Sequence, residues 1–192
     1  MTHHMKAIIK TAVTITLFLP VFSYAAPELI VTWRAASYAP EGYAGKTLPI
    51  AGTPIEASAI LIDGGKVISL APYEINWYAG EDRITGGKGA ASARMTAPIT
   101  GQDSFELRVN VAKYNNQPLD AFLTIPVVRP EILIMKRGGT QSKDFSIIPY
   151  FWNIMKPTEL EVVWSENGGS ITARATNKKN ELEFARLTIP KQ

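Results

Sequence analysis

The chain has no cysteine, and its only two histidines are His3 and His4, ahead of an expected export signal. These absences remove the thiol nucleophile, the side-chain proton shuttle that works near neutral pH and the Cys/His sets that hold zinc. Also missing is any dense run of lysine and arginine suited to tracking phosphates. Lys136-Arg137 and Lys178-Lys179 are the densest basic spots, and both are expected at solvated turns. A second apolar stretch long enough to span a membrane is absent as well. Without cysteine there are no disulfide staples and no lipid-anchored lipoprotein, so core packing has to carry the stability.

What is present begins with a targeting pattern. Lys6 and Lys10 form a short positive region, and an apolar stretch runs from Thr11 to Phe22. Ser23-Tyr24-Ala25 then offers small residues where signal peptidase reads them, which places the cut between Ala25 and Ala26. Residues 1–25 are therefore expected to be a cleaved signal peptide and the mature protein to be extracytoplasmic: secreted, periplasmic or on the cell surface. Removing them takes away two lysines and no acid, so the net charge falls from +3 to +1. The basicity is thus largely a targeting feature, and nucleic acid is not an expected partner.

The remainder repeats itself in outline. Pro27-Glu28-Leu29-Ile30-Val31 and Pro130-Glu131-Ile132-Leu133-Ile134 open two units, and Leu123-Thr124-Ile125-Pro126 and Leu187-Thr188-Ile189-Pro190 close them. Between opening and closing each unit carries a tryptophan on an alternating run, Tyr73 to Tyr78 around Trp77 and Glu159 to Trp164. Two related β domains follow, 27–129 and a smaller 130–192, joined at Val128-Arg129-Pro130, where proline stiffens the linker.

Period-2 alternation marks the strands. Phe105, Leu107, Val109 and Val111 alternate with Glu106, Arg108 and Asn110; Ile55, Ala57, Ala59 and Leu61 share one face. The first unit yields strands at about 28–34, 55–62, 66–70, 73–79, 90–96, 104–112 and 119–128. The second yields 131–136, 144–152, 159–165, 170–176 and 181–189. Turns are expected at Asp63-Gly64-Gly65, at Asn167-Gly168-Gly169 and, as a longer loop, at Asn115 to Pro118. In the last strand Leu182 and Phe184 share one phase while Leu187 and Ile189 share the other, which predicts a β-bulge near Ala185-Arg186.

Short strands at regular spacing with a tryptophan on a central strand resemble the immunoglobulin-like superfamily. The run from Leu160 to Gly169 resembles the PKD-type core of bacterial surface proteins. It keeps the tryptophan and the glycines, and departs from that family's acidic-Phe-Gly-Asp pattern. The resemblance implies two immunoglobulin-like antiparallel β-sandwich domains in tandem after the signal peptide. It also implies adhesion, scaffolding or assembly roles outside the cytoplasm, and carries over no catalytic residue.

Candidate chemistry is sparse. Gly86-Gly87-Lys88-Gly89 lacks the spacing of a phosphate loop and reads as a turn or flexible loop. Glu81-Asp82, near Asn76 and Gly80, is at most a fragment of a calcium site and reads as a solvated turn. No motif pairs serines or acids for catalysis, so no enzyme, cofactor or metal is expected. The aromatics hold more promise. Tyr150 and Trp152 would face one way along a strand and Phe151 the other, leaving one set for a ligand platform. Tyr38 and Tyr43, beside the Pro40-Glu41-Gly42 turn, would sit on an exposed loop. Trp33, Trp77 and Trp164 read as core. The expected partner is another surface or envelope protein; the alternative is a glycan held by Tyr38, Tyr43, Tyr150 and Trp152.

Overall fold

The computed structural model describes residues 26–99, 101–137 and 144–190; the expected signal peptide lies outside them. They form an all-β structure of several antiparallel sheets. The strands are β1 (Glu28–Ala35), β2 (Pro54–Asp63), β3 (Lys66–Ile68), β4 (Glu74–Ala79), β5 (Asp82–Lys88), β6 (Ser92–Thr96), β7 (Ser104–Tyr114), β8 (Gln117–Pro126), β9 (Glu131–Arg137), β10 (Asp144–Tyr150), β11 (Leu160–Asn167), β12 (Ser170–Asn177) and β13 (Asn180–Pro190). One 3-10 turn, Pro157–Glu159, interrupts them.

Two sheets face each other in the N-terminal part. In one, β2 is central: β1 pairs along one side, and β3 and β6 share the other. The second runs β5-β4-β7-β8. Their inner residues follow the alternation in the sequence. Ile55, Ala57, Ala59 and Leu61 of β2 meet Phe105, Leu107, Val109 and Val111 of β7 in one buried cluster with Trp33, Ile75 and Trp77. Trp77 is fully buried and its Nε1–H donates to Ala90 O at 2.7 Å, so the indole gains burial without an unmet donor.

The C-terminal part is thinner. A β9–β10 pair and a three-stranded β11-β12-β13 sheet enclose a second cluster of Ile132, Trp152, Ile154, Leu160, Ala173, Ala175 and Ala185. Among the described residues, seven buried ones here stand against seventeen in the first cluster. Trp164 is not a core plug. It shares the inner face with Leu160 and Val162 but lies at the open end, 39% exposed, its ring 6.0 Å from Phe145.

Several expectations change. β5 stands where a turn or loop was expected at Gly86-Gly87-Lys88, because glycine in an edge strand still pairs through its backbone. Asn115 and Asn116 both take positive φ, 48° and 65°, so the β7–β8 hairpin closes on a two-residue turn rather than a longer loop. Lys136 and Arg137 end β9 instead of lying in a turn, whereas Lys178 and Lys179 do form the β12–β13 turn. The last strand keeps one phase from Glu183 to Pro190, with Glu183 and Ala185 inward and Phe184 outward. Its irregularity falls earlier, opposite Thr176/Asn177, and not at Ala185-Arg186.

Candidate functional site

The segment between β1 and β2 leaves the first cluster and completes the second. Tyr38 N–H donates to Trp152 O and Phe151 N–H to Tyr38 O, both at 2.7 Å, a one-residue antiparallel bridge. Thr53 Oγ1 donates to Asn153 Oδ1 at 2.6 Å, and Asn153 Nδ2 donates to Ala51 O at 3.1 Å. Beneath lies a buried carboxylate, Glu183, which accepts from Asn153 N–H at 2.7 Å and from Asn177 Nδ2 at 3.0 Å. Neutral donors satisfy this inward acid, as burial of a charged group demands. Polar contacts therefore join residues 51–53 to residues 153, 177 and 183.

This crossing forms a shallow groove of about 500 Å³ lined by Tyr38, Pro40, Tyr43, Thr47, Ile154 and Met155 among others. Two residues expected at a site, Tyr38 and Tyr43, line it. Tyr43 is 37% exposed and meets the rings of Tyr150 and Phe151 edge-on, each at 5.8 Å. Tyr150 thus supports Tyr43 from the end of β10. Trp152 does not belong with them: it is fully buried, its Nε1–H donating to Glu131 O at 2.8 Å. The reason is local. Phe151 has φ 59°, so extended alternation ends at Tyr150 and both Phe151 and Trp152 turn inward. Met155, 88% exposed at the rim, carried no signal in the sequence.

Electrostatics near the groove are mild. Burial holds the Lys46 ammonium below its ordinary pKa while it sits 3.8 Å over the Trp33 ring. Glu159 is held below the usual carboxylate range, first by the Lys179 ammonium and next by the N–H of Met155. Glu81 and Asp82 stand exposed at the β4–β5 turn. Among the described residues no group of three or more His, Cys, Asp or Glu side chains converges. What the groove offers is ring faces, hydroxyls and an exposed thioether.

A second exposed feature belongs to the C-terminal part. Leu133 and Met135 on β9, Val163 on β11 and Phe184 on β13 are each about half exposed. The β9–β10 pair and the β11–β13 sheet have no further hydrogen-bonded strand among the described elements. Compared with known protein families, with curated proteins and with solved structures, the chain has no match.

Proposed function

We propose that the protein is a non-catalytic extracytoplasmic recognition protein, two immunoglobulin-like units in tandem, acting in adhesion or surface assembly. The observation that carries this reading is the C-terminal part: a small core and unpaired strand edges, with Leu133 and Met135 exposed on the outer side of one sheet and Val163 and Phe184 on the outer side of the other. Exposed apolar side chains beside free edges are what a partner's strand or sheet covers. A photo-crosslinking residue at position 133 or 163 should capture one defined envelope protein in near-stoichiometric yield. The same residue at Val67, exposed on the N-terminal part, should not. Equal capture from all three positions, or from none, rejects the reading.

A carbohydrate-binding alternative is favoured by Tyr38 and Tyr43 at the groove. A glycan array read with Tyr43→Ala tests it; a response that this change leaves untouched removes the groove as the binding site.

A further inference from the structure

Each of the two facing sheets of the N-terminal part carries one row of side chains across its outer face, and the two rows end differently. Across β1-β2-β6 the register aligns Arg34, Glu56 and Arg94. Here Glu56 serves both arginines: Arg34 Nε donates to it at 2.8 Å, and Arg94 Nη2 lies 3.5 Å away. This row supplies its own carboxylate.

Across β5-β4-β7-β8 the register aligns Arg83, Tyr78, Arg108 and Phe122. The flanking Trp77 and Val109 are fully buried, so alternation turns Tyr78 and Arg108 outward. A tyrosine stands where the first row has its glutamate. The Arg108 guanidinium lies 4.2 Å from the Tyr78 ring centroid, and its buried Nε has no hydrogen-bond partner. Neither Arg83 nor Arg108 makes an ion pair with a described residue. Phe122, at the end of the row, is 60% exposed. At the opposite end of the row, on β5, Gly86 forms the floor beside Arg83. A Cβ there would come within 2.6 Å of both Arg83 Nη2 and Asn76 Oδ1, so the Arg83 guanidinium lies over the bare backbone next to an amide.

We infer that this outer face binds a carboxylate-bearing polysaccharide. Glu106 and Asp120 share this outer face in the neighbouring register positions, with Asp120 held by Asn110, yet neither pairs with the row. Two guanidiniums without an ion pair match acids presented in series, since planar donors take carboxylates in pairs. Phe122 offers its face to the apolar side of a sugar ring, and the Asn76 amide can serve a hydroxyl. The row crosses three inter-strand gaps, about 14 Å, which suits an extended chain better than a single small anion. An extended peptide gains most of its affinity from a strand edge, and this is a sheet face. The site is separate from both the C-terminal apolar surface and the tyrosine groove, so it stands or falls independently of the readings given to them.

The probe is polygalacturonate, with its methyl ester as the same backbone lacking free acids, titrated calorimetrically against the full mature chain. Binding should be salt-sensitive and should weaken at least tenfold on esterification. Arg108→Gln and Arg83→Gln should each weaken it about tenfold or more, the scale of one charge-assisted hydrogen bond. Gly86→Ala should act in the same direction by displacing Arg83, and Phe122→Ala should weaken binding at unchanged salt dependence. Arg34→Gln on the opposite sheet and Tyr43→Ala in the groove should leave it unchanged. Thermal melts of every variant separate lost binding from lost folding, with Arg108→Lys as the substitute if Arg108→Gln fails to fold. The inference is overturned if polygalacturonate, alginate and hyaluronan all fail to bind. It is overturned equally if Arg34→Gln weakens binding as much as Arg108→Gln, or if polyglutamate binds as well as the glycans.

Discussion

Trp77 and Trp164 sit on runs of similar pattern and end in opposite environments. Trp77 is fully buried; Trp164 is 39% exposed. The strands themselves do not explain this. β4 is an inner strand, paired with β5 and β7 and covered by the facing β2 sheet, whereas β11 is an edge paired only with β12 and faced by a two-stranded hairpin. Burial of a pattern depends on how many neighbours enclose it. The same contrast runs through the opening strands: Leu29 and Ile132 are both buried, yet Val31 and Trp33 continue inward on β1 while β9 reaches Lys136 at the same spacing. The N-terminal part is self-sufficient in these terms. The C-terminal part borrows Tyr38, Ala51 and Thr53 from it.

The strongest way to break this comparison is to separate the two. Residues 130–192 expressed alone should show no cooperative melt, because a core this small is marginal even before its borrowed contacts are lost. Residues 26–129 alone should melt cooperatively. A sharp, high-temperature transition from the short fragment would show that the crossing segment is dispensable.

Next in size is the tryptophan pair. Trp77→Ala should cost about 3–5 kcal/mol, the usual loss for an enclosed aromatic, and Trp164→Ala about 1–2 kcal/mol because part of its surface already meets water. Denaturant melts of the two variants give the difference directly; equal losses would mean that the open end of the second core is closed in solution. Smaller again, Asn153→Ala should cost about 1–3 kcal/mol by leaving the buried Thr53 hydroxyl without its acceptor. Because Asn153 spans both parts, that loss should appear in the full chain and be absent when Thr53 has already been replaced by alanine, if the Thr53–Asn153 bond dominates.

Much of the N-terminal sheet architecture could be read from residues, because strict alternation in β2 and β7 reports a face that is covered end to end. β5 was not readable: Asp82 to Lys88 contains a single large apolar residue, Ile84, and two glycines, so an edge strand stabilised by backbone pairing leaves almost no pattern. The last strand misled for another reason. Phe184 faces out and Glu183 faces in because the carboxylate finds Asn177 across the β12–β13 turn and Asn153, thirty residues away in sequence. Of the aromatic site residues, Tyr38 and Tyr43 do line a groove and Tyr150 backs it. Trp152 was lost to a positive φ at Phe151, a backbone feature with no residue-type signal. The Arg83–Tyr78–Arg108–Phe122 row was hidden because its members become neighbours only through register.

The smallest expected effects concern pH, and they too divide the molecule. Tyr114 belongs to the first cluster, donates its hydroxyl to Asp63 at 2.6 Å and has its pKa pushed up to about 12 by that bond, with burial adding to it. Folding therefore favours the protonated phenol. Its contribution is fully present below the ordinary phenol value of about 10 and is lost as pH rises toward 12. At the other end, Glu56 in the N-terminal part is held low by Arg34 and Glu159 in the C-terminal part by Lys179. Both contribute above the ordinary carboxylate range and lose that contribution as pH falls through their lowered values. The acid side should thus weaken both parts, while the alkaline loss that Tyr114 causes falls in the N-terminal part. Melting temperature followed from pH 9 to 12 in the wild-type chain and in Tyr114→Phe separates these. The substitution should flatten the alkaline decline, and Glu159→Gln should leave it in place. An alkaline decline that survives Tyr114→Phe would assign it to other groups and take away this distinction between the two parts.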